Sequence, residues 1–283
     1  MFRFEYLSFA LILAISLFFD LYTILFVISL LVASYFNFGL ETNFNNQNKI
    51  DEKHGINKNR SSRLGGIIIL FFFIINILIN NNVYLIIDDT DKLTFFIIVI
   101  LFISFLGFAD DLLSGLNYLI KLYFLLFSIL ILIFTNNEFL VSSSGIGFLD
   151  YFLNNYVISF IITFFIISGF INASNISDGA NGILSGVASA FSIVLFLHTN
   201  ELVFLIFFKF IFMFFLYNIL ISNVFLGDTG SYFLGFLIST ISLYYYNEGI
   251  ISAGFLASIL SYPCLEIIFS IFRRLRIGTN PFK

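Results

Sequence analysis

Long apolar runs separated by short polar clusters set the pattern of this chain. The runs cover roughly Phe2 to Phe38, Leu64 to Asn80, Leu93 to Ala109, Leu116 to Phe134, Tyr151 to Ile171, Ile183 to Leu197, Leu202 to Ile221, Tyr232 to Tyr246 and Ile250 to Phe272. Most are about 15 to 23 residues long, the length an α-helix needs to cross the apolar core of a bilayer. The pattern predicts an all-α fold, a polytopic transmembrane helical bundle of about nine spans. The first run is too long for one upright span and carries Asp20 near its middle. It predicts either a tilted helix with an interfacial start or a two-helix hairpin, and the hairpin would bring the spans to ten. No small-residue cleavage site follows a short apolar core, so this run reads as retained rather than as a signal peptide. No repeat, heptad run or soluble domain interrupts the pattern, and residues 1–283 read as a single integral membrane domain.

Composition agrees, because 60% of the residues are hydrophobic and 11% are charged, more apolar surface than a soluble fold can hide. The net charge is −4, but the positions of the bases say more. Lys49, Lys53, Lys58, Arg60 and Arg63 fall in the first loop, and Arg273, Arg274, Arg276 and Lys283 follow the last run. With alternating crossings these loops share one face with the polar clusters, and the loops of the other face hold a single base, Lys92. The positive-inside rule makes the shared face cytoplasmic. The expected location is the inner membrane, multi-pass, with the site on its cytoplasmic side. Cys264 is the one cysteine, which excludes a disulfide within the chain, and His54 and His198 fall on opposite faces, which argues against a zinc site. The 43 Phe residues read as lipid-facing bulk rather than as a cofactor box. Asp20 and Lys209 fall inside runs, where an ionisable side chain is a functional suspect, although snorkelling accounts for both as well.

Three clusters carry candidate chemistry. Asp110 and Asp111 end an apolar helix, and adjacent carboxylates in a partly desolvated place suit proton transfer or a cation. Asn172, Asn175 and Asp178 recur every three residues, which places them near one helical face, and Gly179 and Gly182 then permit close backbone approach by a ligand. Gly227-Asp228-Thr229-Gly230-Ser231 sets one carboxylate between glycines and hydroxyls, a donor set for a hard cation such as Mg²⁺ that shares substrate phosphates. Each cluster alone also reads as a capped helix boundary or turn. Their predicted convergence on one face, beside a basic loop, points to a metal and a phosphate.

In this order and at these intervals the clusters resemble the polyprenyl-phosphate N-acetylhexosamine-1-phosphate transferases, which include the phospho-N-acetylmuramoyl-pentapeptide transferases. The resemblance runs from about Lys49 to the end. Ser62-Arg63-Leu64-Gly65-Gly66 looks like the family's Pro-Arg-x-Gly-Gly, with Ser62 in place of the proline. Gly107-Phe-Ala-Asp110-Asp111, the Asn-x-x-Asn-x-x-Asp-Gly-x-x-Gly series and Phe225-Leu-Gly-Asp228-x-Gly-Ser231 follow. The resemblance implies transfer of a sugar 1-phosphate from a UDP-sugar to polyprenyl (undecaprenyl) phosphate with release of UMP, with Mg²⁺, or Mn²⁺ in its place, as cofactor.

On matching positions it implies that Asp228 and Asn175 hold the metal and that Phe225 and Asn218 meet the uracil. Asp178, Asn181 and Gly182 would line the nucleotide site. Asp110 would be the base for the lipid phosphate, with Asp111 beside it, and Lys121 and Lys58 would be phosphate partners. Implied partners are the UDP-sugar, the polyprenyl phosphate and membrane lipid, without nucleic acid, and a homodimer is compatible with these features. Glu266 with Pro263 and the arginine pair looks more like the glycan-initiating branch, of the O-antigen and lipopolysaccharide kind, which implies UDP-GlcNAc or a related N-acetylhexosamine. The departure is at the carboxyl end, where family members continue past a segment like Arg273–Phe282 into a His-rich loop and further spans. The expectation here is a fragment. Two rival readings are a secondary transporter of an anionic solute, whose site would sit on broken helices near mid-membrane, and an inactive membrane scaffold, which leaves the Asn series unexplained.

Overall fold

The computed structural model describes residues 2–17, 19–35, 62–79, 89–113 and 115–278. These form α1 (Phe2–Ser16), α2 (Leu21–Tyr35), α3 (Gly65–Ile79), α4 (Thr90–Leu112), α5 (Tyr118–Thr135), α6 (Gly147–Leu153), α7 (Tyr156–Ser177), α8 (Ile183–Thr199), α9 (Leu202–Leu220), α10 (Gly227–Asn247), α11 (Ala253–Ile259) and α12 (Ser261–Ile277). The fold is all-helical, and among the described residues the only β pairing is an isolated bridge between Ser62 and Val224. Two compact units result, Met1–Val83 with Asp178–Ser231, and Tyr84–Ser177 with Tyr232–Lys283.

The nine expected spans are not confirmed among the described residues. Among the described residues α4, α5, α7 and α9 are long and apolar enough to cross a membrane, and α11 with α12, bent by 66° between them, would be a fifth if the pair is one broken span rather than a re-entrant loop. Pro263 stands in the first turn of α12, where its missing N–H breaks no helical bond and lets a new helix start after the bend. The shorter apolar helices α2, α3 and α8 fall below that length. At 15 residues, α3 reaches only about 22 Å against a core of about 30 Å. The run Tyr151 to Ile171, read as one span, is split at Asn154 and Asn155, where the Asn155 side chain accepts from Val157 N–H at 3.0 Å and starts α7.

In the first unit the run Phe2 to Phe38 resolves into α1 and α2, with the break at Asp20. The Asp20 carboxylate accepts from the Thr23 N–H at 2.9 Å and the Thr23 hydroxyl at 2.8 Å, which caps α2. Its other oxygen meets Lys209 of α9 at 2.8 Å, so these two ionisable residues inside apolar runs are partnered with each other. Replacing Lys209 with Met should leave the Asp20 charge without a cation and lower stability by about 1–2 kcal/mol, less than for a fully buried pair because both side chains are partly exposed. The double variant Asp20→Asn/Lys209→Met should recover much of that loss. Thermal unfolding in detergent checks this, and additive losses in the double variant would contradict the pairing.

The second unit has one end sewn together by polar bonds. Lys92 of α4 meets Glu138 at 2.6 Å, and the Asn136 side chain after α5 donates to the Lys92 carbonyl at 3.4 Å. Val141 N–H donates to Thr163 of α7 at 3.0 Å, and Ser159 donates to the Val141 carbonyl. Asn247 at the end of α10 donates to the carbonyls of Glu138 and Leu140 at 2.9 and 2.8 Å. These bonds join the starts of α4 and α7 to the ends of α5 and α10. The opposite ends of α4 and α7, the start of α5 and the Tyr232–Gly235 part of α10 lie at the other end of this unit, about 27 Å away by the rise of α4 from Lys92 to Asp110. There α7 and α10 press closely: a Cβ on Gly235 would stand 2.8 Å from Ile171 Cα and 2.9 Å from Ser174 Oγ.

Candidate active site

In the second unit the end opposite the polar seam holds Asp110, Asp111, Lys121 and Asn175. The Asp pair lies in the last turn of α4, at the end of an apolar helix as expected, and both residues are buried. The Asp110 carboxylate closes the α4–α5 turn: Oδ1 accepts from Leu116 N–H at 2.6 Å, and Oδ2 pairs with the Lys121 ammonium of α5. The Tyr232 hydroxyl of α10 donates to the same Oδ2 at 3.4 Å. Asn172 and Asn175 lie on the last turns of α7, as their spacing predicts, with Asn172 exposed and Asn175 half-buried.

In the first unit the starts of α3, α8 and α10 and the end of α9 carry the remaining residues. Asn181 donates to the Ser222 hydroxyl at 3.2 Å, and Gly182, at φ 79°, starts α8 in the left-handed region. An added Cβ there would stand 2.7 Å from Ile219 Cγ1, so space and backbone angle both call for glycine. Asn218 is buried and its amide donates to the Val224 carbonyl at 2.8 Å, which braces the loop before α10. Phe225, 3% exposed, is a buried ring of the same loop. Asp228 is half-buried in the first turn of α10, and Asp178 is half-buried in the turn before α8. A carboxylate at a helix start is favoured by the partial positive charge there.

The loop from Asn223 to Leu226 is strapped to the start of α3. Ser62 N–H donates to the Asn223 carbonyl at 3.0 Å and Phe225 N–H to the Ser62 carbonyl at 2.7 Å. Gly65 and Gly66 donate to the carbonyls of Phe225 and Leu226 at 3.0 and 2.9 Å. Ser62, where the resemblance expects proline, thus uses an N–H that proline lacks. Ser62→Pro should remove the Asn223 bond and lower stability by about 1 kcal/mol. Thermal unfolding measures it, and an unchanged midpoint would mean that the bond contributes nothing.

Lys58 lies outside the described residues, as does Ser114. Two contributions were not visible in the sequence: Tyr232, which reads as the start of an apolar run, and the backbone contact of Gly66 with Gly230. The signal for Tyr232 is its place four residues after Asp228, on the same helical face. Among the described residues no three His, Cys, Asp or Glu side chains come together as a metal cage. Mg²⁺ needs no such cage, since one or two carboxylates with waters and substrate phosphates suffice, and Asp228 supplies a carboxylate of that kind.

The sequence profile described as glycosyl transferase family 4 matches residues 93–246, a stretch that contains all three clusters. The chain belongs to glycosyl transferase family 4. An undecaprenyl-phosphate alpha-N-acetylglucosaminyl 1-phosphate transferase of Thermotoga maritima is 38% identical over 114 residues, 40% of this chain and 36% of that protein. A phospho-N-acetylmuramoyl-pentapeptide-transferase of Fervidobacterium nodosum is 31% identical over 199 residues, 65% of this chain and 61% of that protein. The matches thus span about a third to three fifths of these relatives' length. Of the first-unit straps, the Ser62–Gly66 side lies outside the residues that the glycosyl transferase family 4 profile matches, whereas the Asn223–Leu226 side, with Asp110, Lys121, Asn175 and Asp228, lies within them.

Proposed function

We propose that this protein transfers N-acetylhexosamine 1-phosphate from a UDP-sugar to a polyprenyl phosphate on the cytoplasmic face of the inner membrane, releasing UMP. The observation that carries the reading is the family match over residues 93–246, which takes in every carboxylate of the three clusters. In the reaction an oxygen of the lipid phosphate bonds to the sugar-bearing phosphorus of the UDP-sugar. The bond from that phosphorus to the bridging oxygen breaks, and UMP leaves with the electron pair.

Both reactants are anions, so the protein's work is to gather and neutralise them. Asp228 and Asn175 would hold Mg²⁺, which when bound offsets the charge of the diphosphate oxygens. Asp178, Asn181 and Gly182, at the start of α8, line the place for the nucleotide, and Asn218 and Phe225 brace the loop beside it. Lys121 offers N–H donors to the lipid phosphate beyond the one spent on Asp110. UDP-GlcNAc is the preferred donor in this reading, in keeping with the Thermotoga maritima relative's name.

Calorimetry on the detergent-solubilised chain tests the reading. UDP-GlcNAc should bind more tightly with Mg²⁺ than with a chelator present, and UMP should compete. Absence of binding by any UDP-N-acetylhexosamine would overturn it.

A further inference from the structure

We propose that Tyr232 is a positioning residue for the lipid phosphate: with the Leu116 N–H it fixes the Asp110 carboxylate, and Asp110 in turn holds the Lys121 ammonium as the cationic subsite. The inference rests on the transferase reading above and assigns Asp110 a holding role in place of the proton-accepting one implied by resemblance.

The arrangement of donors carries it. A carboxylate offers about four lone-pair positions on two oxygens. In Asp110 one oxygen receives the Leu116 N–H at 2.6 Å, and the other receives both the Lys121 ammonium and the Tyr232 hydroxyl. The Asp110 side chain is 2% exposed and that of Lys121 is 25% exposed. The carboxylate is thus enclosed by its donors while the ammonium keeps access to a ligand. An ammonium has three N–H donors, so two remain for phosphate oxygens after the bond to Asp110. A lysine has four rotatable carbons, and a fixed carboxylate removes much of that freedom before the ligand arrives.

Tyr232 adds what the sequence motif does not contain. It is 1% exposed, one helical turn beyond Asp228, and its hydroxyl reaches across to α4. A buried phenol needs a partner for its O–H, and Asp110 Oδ2 is one. Packing alone would be met by phenylalanine, which has the same ring and lacks only the donor. The phenol is therefore expected to act on the ligand through Asp110 and Lys121, not by touching it.

The test uses the full chain in detergent and a radiolabelled polyprenyl phosphate as probe, with UDP-GlcNAc affinity measured in parallel. Lys121→Gln should weaken polyprenyl phosphate binding about tenfold and Tyr232→Phe about threefold, as expected for losing a charged and a long hydrogen bond. The double variant should bind no more weakly than Lys121→Gln alone, because Tyr232 works through that ammonium. UDP-GlcNAc affinity should be unchanged in all three. In turnover, Tyr232→Phe should raise KM for the lipid and change kcat less than twofold. Asp110→Asn should also act mainly on lipid KM.

An unaltered lipid affinity in Tyr232→Phe, or a threefold loss added on top of Lys121→Gln, would make Tyr232 a packing residue and end the proposal. A kcat loss of 10²-fold or more in Asp110→Asn at unchanged lipid affinity would restore the proton-accepting role. If the unmodified chain binds UDP-GlcNAc but shows no affinity for polyprenyl phosphate, the transferase reading fails and takes this inference with it. If the unmodified chain binds both and only the variants behave otherwise, the inference alone fails.

Discussion

Gly66→Ala is expected to lower thermal stability by about 1–3 kcal/mol or more and to abolish most activity. The reason is space rather than backbone angle. A Cβ on Gly66 would lie 2.3 Å from both Cα and N of Gly230 and 2.6 Å from the Leu226 carbonyl oxygen. All three are backbone atoms and cannot rotate away. The converse change, Gly230→Ala, would place a Cβ 2.6 Å from Gly66 Cα. Either methyl must push the start of α3 from the start of α10, stretching the bonds from Gly65 and Gly66 to the loop carbonyls. Asp228 stands in that same first turn of α10, and a displacement of about 1 Å can cost about 10²-fold in rate. Gly169→Ala in α7 is the control, since nothing lies within 4 Å of its Cβ. Thermal unfolding and UMP release, measured on both variants, decide the matter, and equal behaviour of the two would remove the backbone contact from the account.

Asp228→Asn should behave differently, with turnover falling about 10²- to 10³-fold and stability hardly moving. The amide keeps the shape of the carboxylate and loses its charge. A negative charge at a helix start is worth only about 0.3–1 kcal/mol, so the fold tolerates the change. Substrate oxygens that must be gathered around a cation do not tolerate it. The expected signature is an unfolding midpoint near that of the unmodified chain, weak UDP-GlcNAc binding, and little difference between Mg²⁺ and chelator. Full turnover with intact Mg²⁺ dependence would take Asp228 out of the metal role.

The sequence made the helical class and the polar clusters legible because both are local. Apolar runs must bond their own backbone in lipid, and helices are the solution. The Asn172–Asp178 spacing already states a helical face, and α7 carries Asn172 and Asn175 on its last turns. Boundaries were less legible, because tertiary partners decide them. The break at Asp20 is stabilised by Lys209, 189 residues away, which no local pattern contains. Asp110 and Asp111 were legible as the end of an apolar helix, but the partners that satisfy Asp110 there, Lys121 and the Leu116 N–H, were not. The Gly227–Ser231 segment read as a loop between spans, whereas it is the first turn of α10. Ser62 was legible only as a departure from proline, and the carbonyl of Asn223 supplies its reason. The span count is not confirmed at the short helices, since an apolar run does not reveal whether its helix is long enough to cross.

The central claim is tested most directly by incubating membranes containing the chain with UDP-GlcNAc labelled in the sugar, polyprenyl phosphate and Mg²⁺. The account predicts equal amounts of UMP and of a lipid-extractable product that retains the sugar and its phosphate, both dependent on Mg²⁺ and absent in Asp228→Asn. Release of UDP in place of UMP, or a sugar-lipid lacking the second phosphate, would contradict it.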